Sequence, residues 1–383
     1  MNTPFLDPAE IRRNCAEANL NDDATQTFLE FAARIQANPA LLAAANAAHH
    51  GLFETNDERA EISKHAEAAF GDDASLFRAL LVLDSIRLIR EKQAARGVPP
   101  EITRAVMEHQ PIATLRGSID ADGRISVGDS MWWWYRTVGS GDLYSLGRLE
   151  FIPEAFDYSF RVFVNDDTGE TIALLNPGQS FTDEGILHTP TTWTSTLSET
   201  ETALIGNPIS PRGIAIRSLV ELPRQSWRQA LGPGDIVLDM HIPGNVPLTL
   251  ESIRDALEQA CPFFDRFYPG KPFTAFVCDS WLFSTQIEGM LPPESNILRW
   301  QREGYLYNQW PSQDMLTFTF GSSTIDLATA PRDTRLRRAI IAHLERGGEL
   351  RGGGYLLLRA DLPRFGTQPY RVASEQAIAR LVQ

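Results

Sequence analysis

The stretch that opens at Asp73 constrains the fold most. Read as a helix, it carries Leu76, Phe77, Leu80, Leu83, Ile86 and Ile89, which cover almost its whole circumference. A helix apolar on most sides needs neighbours all round it. The flanking sequence supplies them. Asp7-Pro8-Ala9-Glu10 reads as a helix start, with Asp as N-cap, Pro at the first position and Glu at the third. Residues 22–36 place Phe28, Phe31 and Ile35 on one face. Pro39 starts another helix that runs out near Gly51, and Asp73 reads as the N-cap of the central one. Gly97-Val98-Pro99-Pro100 breaks the chain before a short helix ending near His109. Residues 7 to about 110 are therefore expected to be helix after helix.

The pattern then changes. Segments such as Arg148-Leu149-Glu150-Phe151-Ile152 and Ser159-Phe160-Arg161-Val162-Phe163-Val164 alternate with period two, and Asn165-Asp166-Asp167-Thr168-Gly169 follows as a turn. Residues 147–223 thus predict antiparallel strands, with 177–201 as a polar surface excursion. From residue 235 strands alternate with helices: strand 236–242, helix 249–267 with Ile253, Leu257, Cys261, Phe264 and Phe267 on one face, strand Phe273–Cys278, strand Met315–Phe320, helix 333–346 and strand Tyr355–Arg359. Such alternation predicts a central sheet covered by helices. The expected class is α+β or α/β, with a helical domain over 1–115 and an α/β domain over 116–383.

The chain of 383 residues is long enough to bury a core without staples, and its three cysteines form no close pair. Cysteine usage, an N-terminus without a basic start or apolar run, and the lack of an 18-residue apolar stretch predict a cytoplasmic chain with no membrane partner. A net charge of −14 argues against nucleic acid.

Most motif-like segments have plain readings. Arg136-Thr137-Val138-Gly139-Ser140-Gly141 matches the pyrophosphate loop of GNAT-type acetyltransferases letter for letter. That loop runs from strand to helix, whereas here residues 130–136 read as helix and 144–152 as strand. A Gly-rich helix-to-strand turn explains the segment, since a helix C-terminus presents carbonyls that repel phosphate. Arg346 to Gly354 reads as a helix cap and tight turn. Ser118 to Asp129 imitates a calcium loop through Asp120, Asp122 and Gly123, but its ends are Ser118 and Asp129, so an Asp-Gly turn is expected. Trp132, Trp133 and Trp134 read as buried packing. The histidines show no metal-binding spacing, and no metal is expected; no nucleophile elbow or Walker loop occurs.

The chemistry-bearing residues gather at strand ends. His241 precedes Pro243-Gly244, and Cys278-Asp279-Ser280-Trp281 ends the next strand. If those strands are neighbours, His241 faces the Asp279/Ser280 pair across a crevice where ligands of open α/β sheets gather. Otherwise His241 and Ser280 satisfy local backbone groups.

At this cluster the chain resembles two-domain acyltransferases with a helical "N-acyltransferase N-terminal" domain and a "GNAT-like C-terminal" domain. The resemblance rests on Gly147-Arg148-Leu149-Glu150-Phe151, His241-Ile242-Pro243-Gly244 before Pro247-Leu248, Phe263-Phe264 with Tyr268-Pro269, Cys278-Asp279-Ser280-Trp281-Leu282 and Ser295-Asn296-Ile297, in that order. It implies a GNAT-like mixed sheet covered by helices. It also implies acyl transfer from acyl-CoA, acetyl-CoA or a carrier-bound thioester to a small amine or hydroxyl. In that reading His241 is the general base, Asp279 orients it or binds the acceptor, and Ser280 or a backbone N–H steadies the oxyanion. Strand 273–280 would deliver the cofactor loop, with Trp281, Leu282 and Asn296 as cofactor contacts. Two other functions fit the same residues. One is a binding module for a small ligand or an acyl-carrier protein. The other is a thioester or ester hydrolase with Cys278 or Ser280 as nucleophile.

Overall fold

The computed structural model describes residues 3–55, 59–129, 134–188, 191–244 and 247–382. Trp132 and Trp133, and the first residues of the expected 130–136 helix, lie outside them. The chain forms two compact units: Met1–Leu146 with Glu150–Ile152, and Gly147–Leu149 with Pro153–Gln383.

The first unit is helical: α1 Pro8–Glu17, α2 Asp22–Ala37, α3 Pro39–Phe53, α4 Arg59–Phe70, α5 Ala74–Ala95, α6 Pro100–Met107, α7 Ala113–Gly117 and α8 Trp134–Ser140. As its sequence requires, α5 is central, with Phe77, Leu80, Leu83, Ile86 and Ile89 buried. Two of its charged residues, Asp84 and Arg87, are buried as a pair. Arg87 forks onto Asp84 with bonds of 2.7 and 2.8 Å, and His49 Nε2 lies 2.9 Å from the same carboxylate. A buried charge left unpaired would cost several kcal/mol, on the order of 3–5, so this pairing is what lets the helix sit inside.

Two expectations in this unit are corrected, and the turn expected at Asp120–Gly123 is found. Asp73 precedes α5 but makes no capping bond; its carboxylate pairs with Arg34. The helix from Pro100 does not stop near His109. Pro111 has no N–H to give, and the chain passes it through a wide π turn, Glu108–Ile112, into α7. The calcium-like segment is an Asx turn: Asp120 Oδ1 accepts from the Asp122 and Arg124 N–H groups, each at 2.9 Å. Residues 136–141 end α8, and Gly141 at φ +77 turns the chain toward β1 Tyr144–Leu146.

The second unit carries β2 Leu149–Ala155, through which the chain leaves the first unit. Then come β3 Phe160–Asn165, β4 Thr171–Leu175, β5 Ser180–Phe181, β6 Trp193–Thr194, β7 Leu197–Glu199, β8 Ala203–Gly206, β9 Pro208–Ile209, β10 Val220–Pro223, β11 Trp227–Leu231 and β12 Ile236–His241. The remainder is α9 Leu250–Phe267, β13 Phe273–Ser280, α10 Asn296–Glu303, β14 Tyr305–Pro311, α11 Asp314–Phe320, α12 Arg335–Glu345, β15 Arg351–Leu358 and α13 Arg371–Leu381. The main sheet of this unit runs β2-β12-β13-β15-β14. Within it β12 and β13 are parallel, while β13/β15 and β14/β15 are antiparallel. Helix α9 makes the parallel crossover. A Thr249/Ser252 capping box starts it, and Ile253, Leu257 and Phe264 are buried on its inner face.

Here too the structure corrects the reading. Residues 177–201 are not a bare excursion: buried Phe181 stacks on buried Trp193 with centroids 4.8 Å apart. Met315–Phe320 is helix, not strand. Met-Leu-Thr-Phe-Thr-Phe has strand composition, but Met315 and Leu316 are the buried side of one helical turn and Phe318 is exposed. The strand lies just before it. β14 escaped a period-two search because Tyr305 to Gln309 are all buried, so no alternation shows. Gly352-Gly353-Gly354 is strand rather than turn, within β15. Among the described residues no helix is long and apolar enough to cross a membrane.

Candidate active site

Period two along β12 puts Val237 opposite Ala275 and Asp239 opposite Val277 of β13. Two residues further on each strand, on the same face, lie His241 and Asp279. The condition set by the sequence is met, because the two strands are parallel neighbours. His241 Nε2 stands 3.0 Å from Asp239 Oδ2.

Across the next two strands the row continues. Asp279 faces Gly354, and Gly354 faces Tyr307. A Cβ at Gly354 would overlap the Tyr307 ring, so the glycine lets that ring lie over the sheet. The Tyr307 hydroxyl thereby donates to Asp279 Oδ1 at 2.9 Å. Tyr158 packs edge-on to Tyr307 at 5.4 Å, and Glu154 comes from β2, the strand beside β12.

The electrostatics follow from this crowding. Burial, then Asp239 and to a lesser degree Asp279, raise the Glu154 carboxyl to about 7 despite an opposing pull from His241. The protein packed round Asp279, with Asp239 behind it, raises that carboxyl to about 6 despite the Tyr307 bond. Asp279 is nonetheless open to solvent, as befits a group on the floor of a cleft. Burial and the neighbouring carboxylates hold the Tyr158 and Tyr307 phenols protonated. Acids with such displaced values, grouped with an imidazole, are fit for proton transfer near neutral pH.

The other expected residues sit elsewhere. Ser280 Oγ accepts the Leu282 N–H at 3.2 Å and starts the single turn Trp281–Phe283, which is a local backbone role. Leu282 is buried, and Trp281 packs against a separate apolar cluster whose members include Met290 and Leu298. Asn296 opens α10 after the N-cap Ser295. Among the described residues no hydrogen bond or ion pair links Trp281, Leu282 or Asn296 to the carboxylate group. Cys278 points to the opposite face from Asp279, fully enclosed, with its thiol pushed well above the usual range by burial. The strand–loop–helix order that suits a diphosphate is found after β12, at the start of α9. There Arg148 Nε donates to the Pro247 carbonyl at 3.2 Å.

Sequence reasoning missed Glu154, Asp239, Tyr158 and Tyr307. Asp239 carried a signal, since it stands two residues before His241 on one strand. The other three come from strands or loops far along the chain.

Known proteins agree with this architecture. Residues 9–138 match the N-acyltransferase N-terminal domain, and residues 143–356 match the GNAT-like C-terminal domain. Among solved structures, a mutant acyltransferase in complex with octanoyl-CoA is similar at 20% identity and TM-score 0.58, covering 91% of this chain and 88% of that one. An acyltransferase in complex with decanoyl-CoA and teicoplanin is similar at 20% identity and TM-score 0.58, covering 91% and 87%. Another, in complex with CoA and 10C-teicoplanin, is similar at 18% identity and TM-score 0.54, covering 91% and 99%. No curated protein sequence matches the chain. The helical unit, the mixed sheet with its parallel β12/β13 pair and the two matched domains together show that the chain belongs to the acyltransferase family built from an N-acyltransferase N-terminal domain and a GNAT-like C-terminal domain.

Proposed function

We propose that the cleft at β12 and β13 moves an acyl group from acyl-CoA or acetyl-CoA to a small amine or hydroxyl acceptor. The observation that carries this reading is the grouping of Glu154, Asp239, His241 and Asp279 at the carboxyl ends of the parallel pair. The complexes of the similar structures with octanoyl-CoA, decanoyl-CoA and CoA favour the same donor class here. The residues suit such a donor: its diphosphate would meet the start of α9, where helix N–H groups and the Arg148 guanidinium favour an anion.

An amine acceptor arrives as an ammonium, which three carboxylates attract. It must lose one proton before it can attack. Glu154, titrating at about 7, takes that proton, and His241 beside Asp239 is the adjoining acceptor. The amine nitrogen then bonds to the thioester carbonyl carbon and passes its second proton to His241, the C–S bond breaks, and the thiolate takes the proton that Glu154 holds, leaving His241 to release its own to solvent. Asp279, fixed by Tyr307, holds the ammonium before it reacts. A hydrolase using Cys278 gains no support, because that thiol is enclosed and protonated.

The test is release of free thiol from acetyl-CoA and octanoyl-CoA across a panel of primary amines and alcohols. Glu154→Gln should lower kcat by about 10²-fold or more and abolish the rise of rate with pH centred at about 7. His241→Ala should also lose most turnover with an unchanged melting temperature. Wild-type turnover in both variants would remove the roles assigned to them.

A further inference from the structure

A second concavity of the same unit, of about 370 Å³, is lined by Arg212, Arg302 and Arg371 together with Glu288 and Glu375. It lies beside β14, the last strand of the main sheet, where Arg212 bridges to Leu306. Arg371, the first residue of α13, is only 5% exposed. Its Nη1 donates to Glu288 Oε1 at 2.6 Å, but Nε and Nη2 have no acceptor among the described residues. Leaving a charged donor buried and unmet is costly, on the order of 1–3 kcal/mol or more per group.

The charges round it do not settle the account internally. Glu288 is shared between Arg371 and Arg212, the latter at 3.5 Å, and Arg212 spends its Nε on Glu375 at 2.6 Å. Arg302 gives Nη1 to the Pro293 carbonyl and has no carboxylate within ion-pair distance among the described residues. Three guanidinium groups against two carboxylates leave one positive charge in a chain of net −14. Arg212 and Arg302 stand close enough to press on the Arg371 charge.

We propose that this concavity binds an oxyanion, a phosphoryl or carboxylate group of a ligand, with Arg371 at the floor and Arg302 and Arg212 at the rim. Planar guanidinium forks match such oxygens two at a time. None of its lining residues belongs to the carboxylate cleft, and its charge is opposite to that of Glu154, Asp239 and Asp279.

Calorimetric titration of the full chain with inorganic phosphate, and separately with acetate, at constant ionic strength tests this. Saturable binding of at least one anion is expected, weakened about tenfold or more in Arg302→Ala and Arg371→Lys. Phosphate alone, or acetate alone, would identify the ligand group. Arg148→Ala, at the start of α9, should leave this binding unchanged. No saturable heat from either anion overturns the proposal, as does wild-type affinity in Arg302→Ala. That rim variant decides the matter even if Arg371→Lys fails to fold.

Discussion

Asp279 shows how the cleft trades stability for a usable acid. Its carboxyl titrates at about 6 in the fold against an ordinary value of 3.8. The folded state therefore holds the proton more tightly than the unfolded one. The resulting stabilisation is present at low pH and is lost as pH rises from about 4 through about 6. Above that range the folded chain carries an ionised Asp279 facing Asp239. Asparagine mimics the protonated acid and still accepts from Tyr307. Asp279→Asn should thus raise the melting temperature at about pH 8 and leave it nearly unchanged at about pH 3.5. An equal shift at both pH values would mean the carboxylate is not under this pressure. Part of the residue scale was legible in the sequence. His241 and Asp279 stand at strand ends marked by Pro243-Gly244 and by a following turn, and their neighbourhood depended only on β12 and β13 being adjacent. Ser280 followed the local rule instead, as a strand-end serine capping the next turn. Glu154 and Tyr307 carried no signal, because their partnership is made by sheet order and not by spacing.

At the scale of elements, β14 and β15 matter most. The glycines of β15 are there for what crosses them. Gly354 lies under the Tyr307 ring and Gly352 lies against Trp310, while Gly353 faces the Gln309 side chain and the Phe283 carbonyl. Gly354→Ala has no room without moving Tyr307, and overpacking of this kind costs about 1–3 kcal/mol. Urea denaturation should show that loss. The rate profile should shift as well, since Asp279 would lose its Tyr307 bond. Unaltered stability in Gly354→Ala would mean the ring is not pinned there. The sequence read this glycine run as a turn because glycine most often marks one. It read β14 poorly because a strand buried on both faces has no alternation. The helices of the first unit were legible for the opposite reason: caps such as Asp7 and apolar faces such as Phe28-Phe31-Ile35 are local features.

For the whole molecule, periodicity separated a helical part from a mixed sheet, and the two matched domains follow that division. The net acidity of the chain has a consequence at this scale. A highly charged anion such as coenzyme A is repelled by the chain's overall charge and depends on local cations to bind. In the proposed reading the Arg148 guanidinium and the N–H groups at the start of α9 meet it there. In that proposed reading an acyl-CoA thioester is presented at the carboxyl ends of β12 and β13. Calorimetric titration of the full chain with coenzyme A and acetyl-CoA tests it most directly. Saturable binding with Kd on the order of micromolar is expected, weakened about tenfold or more in Arg148→Ala and by added salt. Absence of saturable heat from either compound, or equal affinity in Arg148→Ala, would contradict it.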